Sequence, residues 1–171
     1  LGSSYGDDAA ANPVHALERG EMEVPDFERE LAKRLTTRDG SPVASEGLIT
    51  RMFSGFQLQE SMNDAVRKVK AAGFATALLS NSWGNDYPTE MFGDMFDVAV
   101  ISGQVKMRKP DREIYLLTAE RLGLDPSVCA FVDEQPANVA AAVELGMVGT
   151  RHGTSQQTID ELQVLFELDL H

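Results

Sequence analysis

From residue 61 onward the sequence alternates short apolar runs with patterns of helical period. Four apolar runs are short enough to be buried strands, and these are residues 75–79, 97–101, 128–132 and 147–150. Helical spacing of apolar residues lies between them, and Gly73 and Gly123 stand where helices of this kind end. Strands separated by helices pair side by side in one direction, with the helices packed on both faces. The sequence therefore predicts an α/β fold with a three-layer α/β/α arrangement around a parallel sheet.

The first third of the chain has a different character. Apolar residues recur at three- to four-residue spacing between Val14 and Leu35, and a further short helical pattern covers residues 47–56. No clear strand pattern interrupts them. We therefore predict two domains, with residues 1–58 as a small helical unit and residues 59–171 as the α/β core.

Two adjacent carboxylates follow one of the predicted strands directly. The apolar run Ala130–Val132 ends in Asp133 and Glu134, and a helical pattern starts at Pro136. Ligands of open α/β sheets bind at the carboxyl ends of the strands, and neighbouring carboxylates are typical ligands of a hard cation. These two acids therefore predict a magnesium site. The alternative is a helix cap, because acids near a helix N-terminus are stabilising.

Two further positions at the ends of apolar runs could bind an anion. Ser80 and Asn81 end the run 75–79, and a hydroxyl with backbone N–H groups at such a turn can hold phosphate oxygens. Lys109 stands directly before Pro110 and a helical pattern, where its charge could offset a phosphate. Each has a structural alternative, since Ser and Asn are favoured in turns and a lysine beside a helix is usually solvated.

Composition excludes several classes of function. The net charge of −12 argues against nucleic acid as a partner, and it means that a phosphorylated substrate needs a local cation. No apolar run is long enough to span a membrane, so no membrane partner is expected. The single cysteine, Cys129, allows no internal disulfide and is compatible with a cytoplasmic location, which we predict.

The order of these segments resembles the haloacid dehalogenase-like superfamily of hydrolases. Leu78–Trp83 resembles the second motif of that family, Lys109–Tyr115 the third, and Phe131–Glu134 with Asn138 the fourth. With Glu144–Met147, these segments are most similar to the phosphatase-like amino-terminal domain of soluble epoxide hydrolases. The resemblance covers residues 55–171 well, and residues 12–58 are more loosely similar to the helical cap of the family.

The resemblance implies a Rossmann-like core and a magnesium-dependent phosphatase that acts through an aspartyl-phosphate intermediate. Asp133 and Glu134 would hold Mg²⁺, and Lys109 would neutralise phosphoryl charge and orient the nucleophile. Ser80 and the N–H of Asn81 would bind phosphate oxygens. The partner implied is a small phosphorylated substrate, and homodimerisation stays open.

The first motif of the family, an apolar strand that ends in the nucleophilic Asp, has no counterpart in this sequence. Asp7-Asp8 follow no apolar strand, and Leu168–His171 come at the end of the last helical pattern. In the family this strand is central in the sheet, between the strands that carry the second and fourth motifs. Its omission would leave unpaired backbone groups and a hole in the core. We therefore expect a few tens of further amino-terminal residues, on the order of a strand, a turn and a helix, and this chain alone to be inactive with weak or no magnesium binding. A less favoured alternative is a degenerate domain in which another strand takes that place.

Two other functions remain as alternatives to the phosphatase. The absence of the first motif favours a non-catalytic binding or regulatory domain, whereas a haloacid dehalogenase would need no metal and would leave the paired acids unexplained. Weaker site candidates are loop residues that could line an entrance (Trp83, Asn85 and Asp86) and residues of the first third that could face substrate (Phe53, Phe56 and Gln57).

Overall fold

The computed structural model describes residues 12–55, 59–84 and 93–171. Its helices and strands follow in chain order as α1 Pro13–Glu18, α2 Val24–Ala32, α3 Leu48–Phe53, α4 Glu60–Ala71, β1 Ala77–Ser80, β2 Val98–Ile101, α5 Ser102–Val105, α6 Arg112–Leu122, β3 Ala130–Asp133, α7 Pro136–Glu144, β4 Val148–Arg151 and α8 Ser155–Phe166. The alternation predicted from the sequence is confirmed, although α6 begins two residues after Pro110 and the short α5 was not predicted. The α/β fold class is thereby confirmed.

The described residues form two compact units. The first lies within Leu1–Gln57, Asn81–Tyr87 and Ser102–Arg108, and the second within Leu58–Ser80, Pro88–Ile101 and Lys109–His171. The first unit thus includes two segments from beyond the predicted boundary at residue 58. The division into a helical cap and an α/β core stays a prediction.

The second unit contains two parallel strand pairs. Strand β1 pairs with β2 from Ala77 opposite Val98 to Ser80 opposite Ile101. Strand β3 pairs with β4 from Ala130 opposite Val148 to Asp133 opposite Arg151. In the part of the chain that the structure describes, β1 and β3 each have only this one strand partner. The expected single sheet is therefore seen as two parallel halves.

Helices cover the strands of the second unit. Helix α6 packs against β1, β2 and α7, while α7 packs against β3 and β4. Helices α4 and α8 pack together around Ala65, Val69, Ile159 and Leu162, and Val132 of β3 contacts this cluster. Leu170, beyond the end of α8, is buried in the same cluster. Burial of these apolar faces holds α4 and α8 against the strands.

The close approach of α7 to β4 depends on Gly149. A Cβ atom at this position would lie 2.7 Å from Val143 Cγ2 and 2.8 Å from Val139 Cγ1. Branched side chains in a helix have one strongly preferred rotamer and cannot easily give way. We expect Gly149→Ala to lower the free energy of unfolding by about 1–3 kcal/mol, as overpacking does.

Chemical denaturation would measure this cost, with Gly55→Ala as the matched control. A Cβ at Gly55 would meet no atom within 4 Å. The control should therefore change stability by no more than about 0.5 kcal/mol. Equal stabilities of the two variants would contradict the close packing of α7 on β4.

The first unit is built around a small apolar cluster. Leu17, Phe27, Leu31 and Leu48 are its buried members, supplied by α1, α2 and α3. Trp83 packs edge-on against Phe27 and Phe53, with ring centroids 5.5 and 5.7 Å apart. Trp83 is therefore a packing residue of this unit. The other weaker site candidates, Asn85, Asp86, Phe56 and Gln57, lie outside the described residues.

Glu28 is a buried acid that caps helix α3. One carboxylate oxygen accepts from the Gly47 N–H at 3.1 Å and the other from the Ile49 N–H at 2.9 Å. Gly47 is the N-cap of α3 and Ile49 lies in its first turn, where N–H groups have no partner within the helix. Glu28→Ala should therefore cost about 2 kcal/mol of stability, the order expected for a lost cap and bonds to a charged acceptor.

Thermal or chemical unfolding of Glu28→Ala and Glu30→Ala checks this prediction. Glu30 lies on the same helix, but its side chain is 46% exposed and forms an ion pair only with Lys33 among the described residues. Exposed pairs of this kind contribute about 0–1 kcal/mol. If Glu30→Ala were as destabilising as Glu28→Ala, the cap would have no special role.

No helix among the described residues is long and apolar enough to cross a membrane. The cytoplasmic location predicted from the sequence stays a prediction.

Candidate functional site

Asp133 is the buried centre of a polar network at the carboxyl end of β3. Its Oδ2 accepts from Lys109 Nζ at 2.6 Å. Its Oδ1 accepts from the backbone N–H of Gln135 at 2.8 Å and from Asn138 Nδ2 at 3.0 Å. Only 5% of Asp133 is exposed, and its bonds with Lys109 and Asn138 are buried. A carboxylate held by three donors in a low-dielectric setting is fixed in orientation.

Lys109 is brought to Asp133 by the packing of α6. It lies just before this helix, is 9% exposed and forms the ion pair across 24 residues of sequence. Its ammonium also lies over the ring of Phe131, 5.5 Å from the centroid. A lysine is seldom buried unless it is paired. The solvated lysine considered from the sequence is therefore not what the structure shows.

Asn138 and Tyr115 extend the network behind Asp133. Asn138 is in the first turn of α7, where its side chain reaches back to Asp133. The Tyr115 hydroxyl on α6 donates to the Asn138 carbonyl at 2.9 Å. Both residues were part of the segments that resemble the third and fourth family motifs, but no role was predicted for either from the sequence. A tyrosine at helical spacing gives no local signal of such a bond, because its partner lies on another helix.

Glu134 carries the same charge as Asp133 but differs from it in burial and in ion pairing. It is exposed, and it forms no ion pair with another described residue. Among the described residues, no group of three or more His, Cys, Asp and Glu side chains is placed to hold a metal ion. Asp133 and Glu134 therefore supply two carboxylates, and their role as metal ligands stays a prediction.

Ser80 ends β1 as Asp133 ends β3. Ser80 is half-buried and pairs with Ile101 in the strand register. Asn81, the next residue, begins a segment that belongs to the first unit. Further along, the buried Ser82 N–H donates to Ser102 Oγ at 2.9 Å. The binding of phosphate by Ser80 and Asn81 stays a prediction.

Cys129 has the properties of an unreactive thiol. Burial, with the charge of Asp125 adding to it, raises the pKa of Cys129. A raised pKa keeps the sulfur protonated at neutral pH, and the thiol is a poor nucleophile. The only cysteine of the chain is thus unsuited to covalent catalysis.

Comparison with known proteins matches residues 8–146 to the family model of haloacid dehalogenase-like hydrolases. Flavin mononucleotide hydrolase 1 of Arabidopsis thaliana is 32% identical over 128 residues, which are 71% of this chain and 51% of that protein. Sesquiterpene phosphatase astK of Aspergillus oryzae is 30% identical over 154 residues, 87% of this chain and 76% of that protein. Bifunctional epoxide hydrolase 2 of Rattus norvegicus is 28% identical over 121 residues, which are 64% of this chain and 22% of that protein. The chain thus spans about half the length of the first relative.

A solved structure gives the same result for the fold. A haloacid dehalogenase family enzyme from Bacteroides thetaiotaomicron, crystallised with magnesium and inorganic phosphate, superposes with a TM-score of 0.66 at 21% identity. The match covers 85% of this chain and 78% of the other. At this identity the likeness concerns the fold. It confirms the Rossmann-like architecture predicted from the sequence.

Proposed function

Because the chain belongs to the family of haloacid dehalogenase-like hydrolases, we propose that it hydrolyses the phosphoester of a small molecule. The observation that carries this proposal is the buried Lys109–Asp133 pair at the end of β3. It places an ammonium beside a fixed carboxylate in a protein whose net charge is −12. A phosphorylated substrate needs such a local cation to approach an acidic protein.

The candidate residues Lys109, Ser80 and Asn81 suit phosphoryl transfer. This reaction depends mainly on positioning and on compensation of charge on the phosphoryl oxygens. In the proposal Lys109 donates to a phosphoryl oxygen, and Ser80 and the Asn81 N–H bind the others. Asp133 holds Lys109 in place through the 2.6 Å contact. Asn138 and the Gln135 N–H in turn hold Asp133.

The carboxylate oxygens of Asp133 and Glu134 suit a magnesium ion of the type that retains several waters. Each carboxylate oxygen has two lone pairs. Among the described residues, Oδ1 accepts from two donors and Oδ2 accepts from Lys109, which leaves Oδ2 one lone pair. Glu134 is exposed and has oxygens to offer. Magnesium usually binds one or two protein carboxylates together with waters and phosphate oxygens. When bound, it would neutralise charge on the phosphoryl group.

We assign the nucleophile to an aspartate outside residues 1–171. Its carboxylate would attack phosphorus and expel the alcohol, and water would then hydrolyse the aspartyl phosphate to release inorganic phosphate. The support comes from the strands, because each of β1 and β3 has a single strand partner in the described structure. A parallel strand between them would satisfy both edges and bring its carboxyl end towards Asp133.

The test is hydrolysis of para-nitrophenyl phosphate by the full-length protein, with and without EDTA. We expect turnover that EDTA abolishes and added magnesium restores. Absence of turnover with a panel of phosphate esters would overturn the proposal in favour of a non-catalytic binding domain. Halide release from a 2-haloacid, unaffected by EDTA, would overturn it in favour of the dehalogenase.

A further inference from the structure

Tyr115 lies directly behind the candidate site and contacts both branches of the network around Asp133. It is fully buried on α6. A buried tyrosine hydroxyl usually has a partner, and here the partner is the Asn138 carbonyl at 2.9 Å. The Tyr115 ring also packs edge-on against Phe131, with centroids 5.1 Å apart. One side chain thus connects α6, α7 and β3.

Each branch ends on a different oxygen of Asp133. Through its hydroxyl, Tyr115 fixes the backbone of Asn138, whose side chain donates to Oδ1. Through its ring, it supports Phe131, whose face carries the Lys109 ammonium that donates to Oδ2. A shift of Tyr115 would therefore change the position of both donors. Small misplacements of charged groups have large effects on rates, since catalysis depends on their alignment.

We propose that Tyr115 is a positioning residue that aligns Asn138 and Lys109 on the Asp133 carboxylate. The effect on turnover rests on the proposed phosphatase function, whereas the effect on Asn138 does not. Tyr115 touches no reacting atom in this role.

The test compares Tyr115→Phe with Thr118→Val in the full-length protein. Tyr115→Phe removes the hydroxyl and retains the ring on Phe131. Thr118 is also buried on α6, and its hydroxyl donates to the Ile114 carbonyl of the same helix at 2.7 Å. Both variants therefore lose one buried hydroxyl bond to a carbonyl, and we expect similar falls in thermal stability.

The two variants should differ at the site. For Tyr115→Phe we expect kcat for para-nitrophenyl phosphate to fall by about three- to tenfold, with KM changed by less than about twofold, because alignment rather than binding is lost. For Thr118→Val we expect wild-type kcat. Tyr115→Leu, which also loses the ring, should have a lower kcat than Tyr115→Phe. Equal kcat values for Tyr115→Phe and Thr118→Val would overturn the proposal.

A second measurement needs no catalysis. The side-chain amide resonance of Asn138 in a ¹⁵N–¹H spectrum should move in Tyr115→Phe and stay in place in Thr118→Val. An unmoved resonance in Tyr115→Phe would overturn the positioning role even if the phosphatase proposal holds. If the wild-type protein hydrolyses no phosphate ester, the phosphatase proposal fails, and the Asn138 resonance still decides the role of Tyr115.

Discussion

Asp133→Ala should lower the free energy of unfolding by about 3–5 kcal/mol, the cost of breaking a buried ion pair from one side. The substitution would leave the Lys109 ammonium, only 9% exposed, without its carboxylate partner. It would also remove the acceptor of the Gln135 N–H and of Asn138 Nδ2. Donors stranded away from water retain the full penalty of their desolvation.

The matched control for this prediction is Glu134→Ala. The two acids are adjacent and equal in charge, but Glu134 is exposed. Its removal should change stability by no more than about 0.5 kcal/mol. Urea unfolding of both variants measures the difference. A loss below about 1 kcal/mol for Asp133→Ala would show that the network contributes little to the folded state.

Lys109→Ala should reduce phosphatase turnover of the full-length protein at least about tenfold, near the low end for lost charge stabilisation. The substitution removes the only described cation that pairs with Asp133. Charge that develops on the phosphoryl oxygens would then face a buried carboxylate without compensation. The measurement is kcat and kcat/KM for para-nitrophenyl phosphate at saturating magnesium.

Two further variants separate chemistry from folding. Lys109→Met retains the aliphatic stem near Phe131, and where circular dichroism shows a folded protein it should show the same loss of turnover. The control is Lys70→Ala, which also removes a lysine that pairs with an aspartate, Asp97. Asp97 directly precedes β2, so this pair lies at the amino end of that strand and not at a carboxyl end, where the candidate site is. Lys70→Ala should retain wild-type kcat. Unchanged kinetics in a folded Lys109→Met variant would refute a role for Lys109 in the reaction.

The order of the elements could be predicted from the sequence because their signals are local. The apolar runs that became β1, β2, β3 and β4 are short and are separated by residues of helical period. Gly73 and Gly123 adopt the positive φ angles expected at helix ends, +94° and +70°. The ends of the strands at Ser80 and Asp133 could also be predicted, because a polar residue after an apolar run marks the end of a strand.

Tertiary packing decided the roles of several residues. Trp83 was a candidate for the entrance of a site, yet it packs against Phe27 and Phe53. Asp133 and Glu134 looked equivalent in sequence. In the structure Asp133 is buried and accepts three hydrogen bonds, whereas Glu134 is exposed. Hydrophobic periodicity cannot predict which of two adjacent acids is buried, because burial at the end of a strand depends on the residues that other segments pack against it.

The sequence by itself determined the family, the alternating α/β order and the residue types available for chemistry, since motifs, periodicity and strand ends depend on residues close together in the chain. Only the tertiary structure decided that Lys109 meets Asp133 across 24 residues, and that Tyr115 supports both through Asn138 and Phe131. These contacts join α6, α7 and β3. They arise from the way buried apolar faces bring distant segments together, and no local pattern in the chain records that packing.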